Sequence, residues 1–305
     1  MMDPAEAIDI INERFGRHPR ARALHAKGVW LRGTFTATPG ARSLSRAAHL
    51  QGAPVPVLAR LSNGSGDPNS ADYAPDVRGL AVGFELPDGQ RTDLVSQSVP
   101  EFFSSTPDAF LEFIRANTGA AAAWRLPAFL VSHPKALRSL RVNGPALRPI
   151  PSFANCRFYG VHAFRWESAD GTSRHVRCDW RPVAGEERIG PRDARRRGRD
   201  YLREDLEQRL ATNAVSFVLD AQIAGEGDSV DDPSDHWPAD RRRVEAGSLE
   251  LTKLIEDPET DGAIAVFDPA HVTDGIEMTA DPVLRFRPLA YSESAARRSA
   301  GDASK

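Results

Sequence analysis

Residues 55–67 read Val55-Pro-Val-Leu-Ala-Arg-Leu-Ser-Asn-Gly-Ser-Gly-Asp67: a short β-prone run, 55–61, closed by the turn cluster Asn63-Gly64-Ser65-Gly66-Asp67. Runs at 29–36, 80–85 and 92–95 have the same character, and Pro87-Asp88-Gly89 separates the last two. Short β-branched and aromatic runs alternating with turn chemistry read as strands joined by tight connections. The region from His25 to about residue 96 is therefore expected to be an antiparallel sheet.

Outward from it the pattern changes. Residues 107–142 carry alanine, leucine and arginine in a helical pattern broken at Pro127 and Pro134, so helices are inserted there. Strands return at 157–167 and 174–181 around the hairpin signal Ser168-Ala169-Asp170-Gly171, with His162, Phe164 and Trp166 expected on one face. Residues 193–212 read as helix, 214–223 and 248–254 as strands, and 270–280 as irregular, before a final helix from Pro282 to about Arg298. At the start, Asp3, Pro4 and Glu6 supply the cap, the first-turn proline and the acid of a short amphipathic helix that Gly16 ends. The fold class is α+β. No repeat or linker divides the chain, so a single domain over 1–305 is expected.

With 305 residues and 41% hydrophobic side chains, the chain can bury a sizeable core. Its formal net charge of -3 supplies no global attraction to nucleic acid or anionic lipid; either would need a local patch. Neither partner is expected. The bias toward arginine over lysine reads as codon usage. No run of eighteen apolar residues and no leader-like N-terminus occurs, so a cytoplasmic location is the expectation. Cys156 would face roughly position 183 across its hairpin rather than Cys178, so no disulfide is expected. The usual dinucleotide, Walker, zinc and hydrolase motifs are missing. The aspartates at 228, 231, 232 and 235 lack calcium-loop spacing and read as a solvated loop, and the arginine-rich run 192–203, interleaved with acids, as a charged helix face.

Three segments stand apart: Arg22-Ala-Leu-His25-Ala-Lys-Gly28, Arg60-Leu-Ser62, and Asp93-Leu-Val-Ser-Gln97-Ser-Val-Pro100-Glu-Phe102-Phe103. Together with Asp76-Val-Arg78-Gly79, Phe158-Tyr-Gly160-Val-His162, Phe267-Asp-Pro269 and Arg287-Pro-Leu-Ala-Tyr291, they resemble the haem-containing catalase family, in order and over nearly the whole chain. The length is similar to that of its small catalase-related peroxidase branch. The resemblance implies an eight-stranded antiparallel barrel with inserted and C-terminal helices, its interior-facing residues meeting a ferric haem, expected to be haem b.

A phenol with a pKa near ~10 is a poor ligand at neutral pH unless its anion is stabilised. Arg287, one helical turn before Tyr291, is placed to do this, and the resemblance implies that Tyr291 ligates the iron, with His162 and Asp281 extending the arginine into a relay. It further implies His25 as distal base, Ser62 as its orienting partner, and Arg22, Arg60 and Arg298 as holders of the haem propionates. Phe102 and Phe110 would line the distal pocket. Gln97 falls where most catalases carry asparagine, and its added methylene should impair dismutation more than reduction by a donor.

The activity so implied is reduction of hydrogen peroxide or organic hydroperoxides by a small organic donor, with weak catalase activity, in a monomer or small homo-oligomer. An allene-oxide-synthase-like hydroperoxide isomerase or dehydratase, and a non-catalytic haem sensor or carrier, are the alternatives.

Overall fold

The structure is a computed structural model and describes residues 2–259 and 264–300. Its strands are β1 (Gly28–Ala37), β2 (Val55–Asn63), β3 (Arg78–Glu85), β4 (Arg91–Gln97), β5 (Phe158–Tyr159), β6 (Phe164–Glu167), β7 (Ser173–Pro182), β8 (Val215–Ile223), β9 (Arg243–Ile255) and β10 (Ile276–Met278). The helices are α1 (Pro4–Phe15), α2 (Pro39–Arg42), α3 (Pro107–Ala116), α4 (Ala122–Ser132), α5 (Pro134–Asn143), α6 (Pro191–Arg197), α7 (Tyr201–Leu210) and α8 (Pro282–Ala300).

Antiparallel pairing runs β7-β5-β4-β3-β2-β1-β9-β8, and a further β8–β7 ladder closes these eight strands into a barrel, with β6 and β10 continuing beyond β7. Closure removes the exposed strand edges that an open sheet would carry. Alternation fills the interior: Val55, Val57, Ala59 and Leu61 of β2 meet Leu80, Val82 and Phe84 of β3 in one apolar cluster drawn from around the ring. Phe35 of β1 crosses it to pack edge-on against Phe84 at 5.1 Å and Trp180 of β7 at 6.0 Å. Burying each such ring contributes about 2 kcal/mol.

Several expected elements differ. The single strand over 157–167 is split into β5 and β6 at residues 160–163, because Gly160 approaches the Cys178 carbonyl so closely that a Cβ would lie 2.7 Å from it. His162 therefore sits in the break and does not share a strand face with Phe164 and Trp166, which join the interior. Gly198, at φ 107, divides the expected helix over 193–212 into α6 and α7. The stretch expected to be irregular contains β10, paired with β6. The acidic loop is tied down rather than solvated: Asp228 pairs with Arg241, and Asp232 with Lys135. Both cysteines are buried and free.

Outside the barrel, α1, α3 and α8 pack together through Ile8, Ile11, Leu111 and Ile114, with Phe286 and Ala290 against them. Among the described residues, no helix is long and apolar enough to cross a membrane.

Candidate active site

The register sets one row of side chains across neighbouring strands: Gly28 opposite Ser62, Ser62 opposite Gly79, Gly79 opposite Gln97, and Gln97 opposite Tyr159. Directly paired residues share a face. This row is out of phase with Leu61 and Leu80, which fill the interior, so it lies on the outer face of the barrel wall. The expectation that interior-facing residues form the site is thereby corrected: the interior is apolar packing, and the polar site is on the outside.

His25 stands at the head of β1 with φ 56, in the left-handed region that non-glycine residues rarely occupy. Its N–H donates to the Gly64 carbonyl at 3.0 Å and its own carbonyl accepts from Arg60 Nη1 at 2.8 Å, two bonds that hold the strained backbone. Nδ1 lies 3.0 Å from Ser62 Oγ, which leaves Nε2 unengaged by that pair. Gly79 makes the arrangement possible: a Cβ there would lie 2.8 Å from Ser62 Oγ and 2.9 Å from the His25 ring. Burial, reinforced by the charges of Arg60, Arg287 and Arg22, pushes the imidazole down to about 3, so it is neutral at physiological pH. Farther along the row, the Gln97 Nε2 amide is buried with no partner among the described residues.

A second group lies on α8 and in the β5–β6 break. Arg287 Nε donates to the Tyr291 hydroxyl oxygen at 2.9 Å, and Nη2 donates to the same atom. Its Nη1 lies 2.8 Å from His162 Nε2, and His162 Nδ1 lies 2.6 Å from Asp281 Oδ2. A guanidinium can only donate, so His162 accepts at Nε2 and carries its proton on Nδ1. His162 and Asp281 are almost fully buried, and burial holds the His162 imidazole below its ordinary value. Phe102 and Phe110 are 5.2 Å apart; Phe102 meets the His162 ring at 6.4 Å, and Phe110 packs in the cluster that holds Ala23 and Leu24, next to His25 in the chain.

A third group gathers three cations. Arg22 Nη2 and Arg298 Nη1 bond Glu259 Oε1 at 3.1 and 2.7 Å, while Arg22 and Arg60 lie over the Trp30 ring at 5.4 and 5.6 Å. Burial, with the neighbouring Arg22 charge, lowers Arg60 to about 9, while Glu259 and Asp257 act in the opposite sense. The structure thus brings together Arg22, Arg60 and Arg298, pairs His25 with Ser62, and joins Arg287 to Tyr291.

Gly79, Trp30, Glu259 and the capping role of Asp281 were missed from the sequence. Asp281-Pro282 is a readable helix start, since aspartate before a first-turn proline is an N-cap pattern. Glu259 has no local signal: it is 237 residues from Arg22.

Barrel, outer-face histidine and arginine-backed tyrosine together define a class of protein. The family model for catalase matches residues 10–304, and the chain belongs to the catalase family. Within it, the chain is 45% identical over 302 residues to a catalase-related peroxidase of Mycolicibacterium paratuberculosis, covering 99% of this chain and 96% of that one. A catalase-related peroxidase of Synechococcus elongatus is 31% identical over 305 residues, covering 98% and 89%. These matches place the chain in the catalase-related peroxidase branch. A fungal catalase crystal structure superposes with a TM-score of 0.82 at 25% identity over 92% of this chain and 60% of that one. Catalase A from Saccharomyces cerevisiae gives 0.81 at 23% identity, a likeness of fold.

Haem is the group on which this family depends, and the donor set suits it. A tyrosine oxygen receives two guanidinium N–H bonds, three arginines gather around Glu259 and Trp30, and a buried amide donor has no partner among the described residues.

Proposed function

We propose that the chain is a haem-dependent peroxidase that reduces hydrogen peroxide or organic hydroperoxides with a small organic donor and dismutates peroxide weakly. Tyr291 holds the iron through its phenolic oxygen, and Arg22, Arg60 and Arg298 hold the haem carboxylates, with Phe102 and Phe110 packing beside the ring. When bound, the haem supplies the redox chemistry at the peroxide O–O bond. The remaining work belongs to side chains.

Breaking that bond heterolytically requires a proton to leave one peroxide oxygen and reach the other. His25, neutral and with Nδ1 on Ser62, accepts it at Nε2 and returns it. The Gln97 amide donates to the peroxide. The observation that carries this reading is that Ser62, which engages His25 Nδ1, and Gln97, whose buried Nε2 has no partner among the described residues, flank Gly79 on one row of the wall.

The test uses haem-loaded chain. Tyr291→Phe should lose most haem, while His25→Ala should keep haem and react with peroxide roughly 10²- to 10⁴-fold more slowly. Full reactivity of His25→Ala removes the acid–base role. An epoxide or ketol formed from a fatty hydroperoxide without donor oxidation would assign the isomerase reading instead.

A further inference from the structure

Between Glu112 and Glu167 the chain contains no aspartate or glutamate, but eight arginines and lysines. In a protein with 42 acidic residues this is a sharp local departure from near-neutrality, and it encloses α4 and α5. Five of the eight cations are matched by carboxylates from elsewhere: Arg115 by Glu6, Lys135 by Asp232, Arg138 by Glu101, Arg157 by Asp220 and Arg165 by Glu277. Arg125, Arg141 and Arg148 have no carboxylate partner among the described residues.

The same two helices expose apolar side chains. Trp124 is 64% exposed, Val131 85% and Val142 41%, and Arg125 lies over the Trp124 ring at 5.1 Å. Inward, α4 and α5 meet through Phe129 and Ala136, which leaves their outer faces unpartnered. Aromatic and aliphatic groups interleaved with unneutralised arginine, on helices that carry no acid of their own, form the kind of surface that lies in a lipid headgroup layer.

We propose that α4 and α5 dock on an anionic phospholipid surface, the apolar side chains entering the headgroup layer and Arg125, Arg141 and Arg148 meeting lipid phosphates. The net charge of -3 supplies no such attraction, so the binding is a property of this patch. A second copy of the chain fits poorly, because a two-fold contact would oppose the same unneutralised arginines to one another. Nucleic acid would use the cations but leave Trp124 and Val131 without an apolar partner.

The experiment is co-sedimentation of the haem-loaded full chain with vesicles of phosphatidylcholine alone or mixed with phosphatidylglycerol. Binding is expected only to the mixed vesicles and to weaken with salt. Each surface arginine contributes about a fivefold factor, so R125Q/R141Q/R148Q should bind about a hundredfold more weakly. W124S/V131S should also release the protein while leaving peroxide turnover in solution unchanged. Equal binding to both vesicle types, no binding, unaltered binding by both variants, or a solution dimer abolished by W124S/V131S would each overturn the proposal.

Discussion

The Asp281 carboxylate joins two structures at once: Oδ2 lies 2.6 Å from His162 Nδ1, and Oδ1 accepts from the N–H groups of Val283 at 2.8 Å and Leu284 at 3.1 Å at the start of α8. One side chain thus caps the helix that carries Arg287 and Tyr291, and fixes the imidazole that Arg287 donates to. Asparagine preserves the cap but presents an N–H to His162, so the imidazole must reverse its tautomer and place a proton against Arg287 Nη1. Asp281→Asn is therefore expected to stay within about 1 kcal/mol of the parent in stability while shifting the charge-transfer band of the haem-loaded protein. Asp281→Ala, which loses both functions, should cost about 3 kcal/mol. Thermal melts and absorption spectra of the two variants separate cap from relay.

Gly79 is the hinge of the other group. With Cβ, it would press on Ser62 Oγ and on the His25 ring, and His25 has little freedom to yield because its backbone is already held at φ 56. Displacements near 1 Å cost about 10²-fold where proton transfer needs alignment. Gly79→Ala is expected to slow the peroxide reaction by that order with haem content unchanged. Gly144→Ala, where a Cβ meets nothing within 4 Å, serves as the control. Stopped-flow rates at matched haem occupancy decide, and an unimpaired Gly79→Ala would show that the His25–Ser62 spacing is not limiting.

What the sequence made legible was local. The run 55–67 announced strand and turn, Asp3-Pro4 announced α1, and Arg287 and Tyr291, four apart on a helix, were found bonded. The resemblance supplied barrel closure and the grouping of Arg22, Arg60 and Arg298, which no spacing could show because their partners lie far along the chain. The face of the barrel was misread, since strand ends carry both faces' residues and only the register reveals that Ser62, Gly79 and Gln97 are out of phase with Leu61 and Leu80. The break at His162 was hidden for a similar reason: it follows from the contact of Gly160 with Cys178, eighteen residues away.

Acid should weaken the fold through its buried imidazoles. His25 and His49 are both held down to about 3, each chiefly by burial; the His49 Nδ1 has no partner among the described residues, and its ring packs 4.6 Å from Phe84. The unfolded chain binds protons at these residues near pH ~6.5, where the native state does not. Their contribution is therefore complete above that pH and is lost as pH falls toward the native values, by up to about 1.4 kcal/mol per pH unit for each. Asp76, Asp93 and Asp179, raised by burial, act in the opposite sense at lower pH. Comparing the full chain with His49→Leu isolates one imidazole: the variant's melting temperature should fall less steeply between pH 6.5 and 5. Parallel curves would mean that His49 is not buried neutral.

In the function proposed above, the amide at position 97 sets the balance between two fates of peroxide. Gln97 ends β4, paired with Gly79 on one side and Tyr159 on the other, so its backbone cannot withdraw without breaking two ladders. Its longer side chain therefore carries the Nε2 donor about one bond farther from the wall than asparagine would. Dismutation requires a second peroxide in a narrow geometry, whereas a donor needs only to deliver electrons near the bound group, so the displaced amide penalises the first reaction more. Gln97→Asn is expected to raise oxygen evolution relative to donor oxidation by roughly tenfold, with haem binding unchanged. An oxygen electrode and a chromogenic donor, used on the same haem-loaded sample, give the ratio directly. Gln97→Leu, which removes the donor and keeps the bulk, should depress both activities. If the asparagine variant leaves the ratio where it was, the preference for a donor is set elsewhere in the pocket, and the unpartnered Nε2 serves peroxide binding alone.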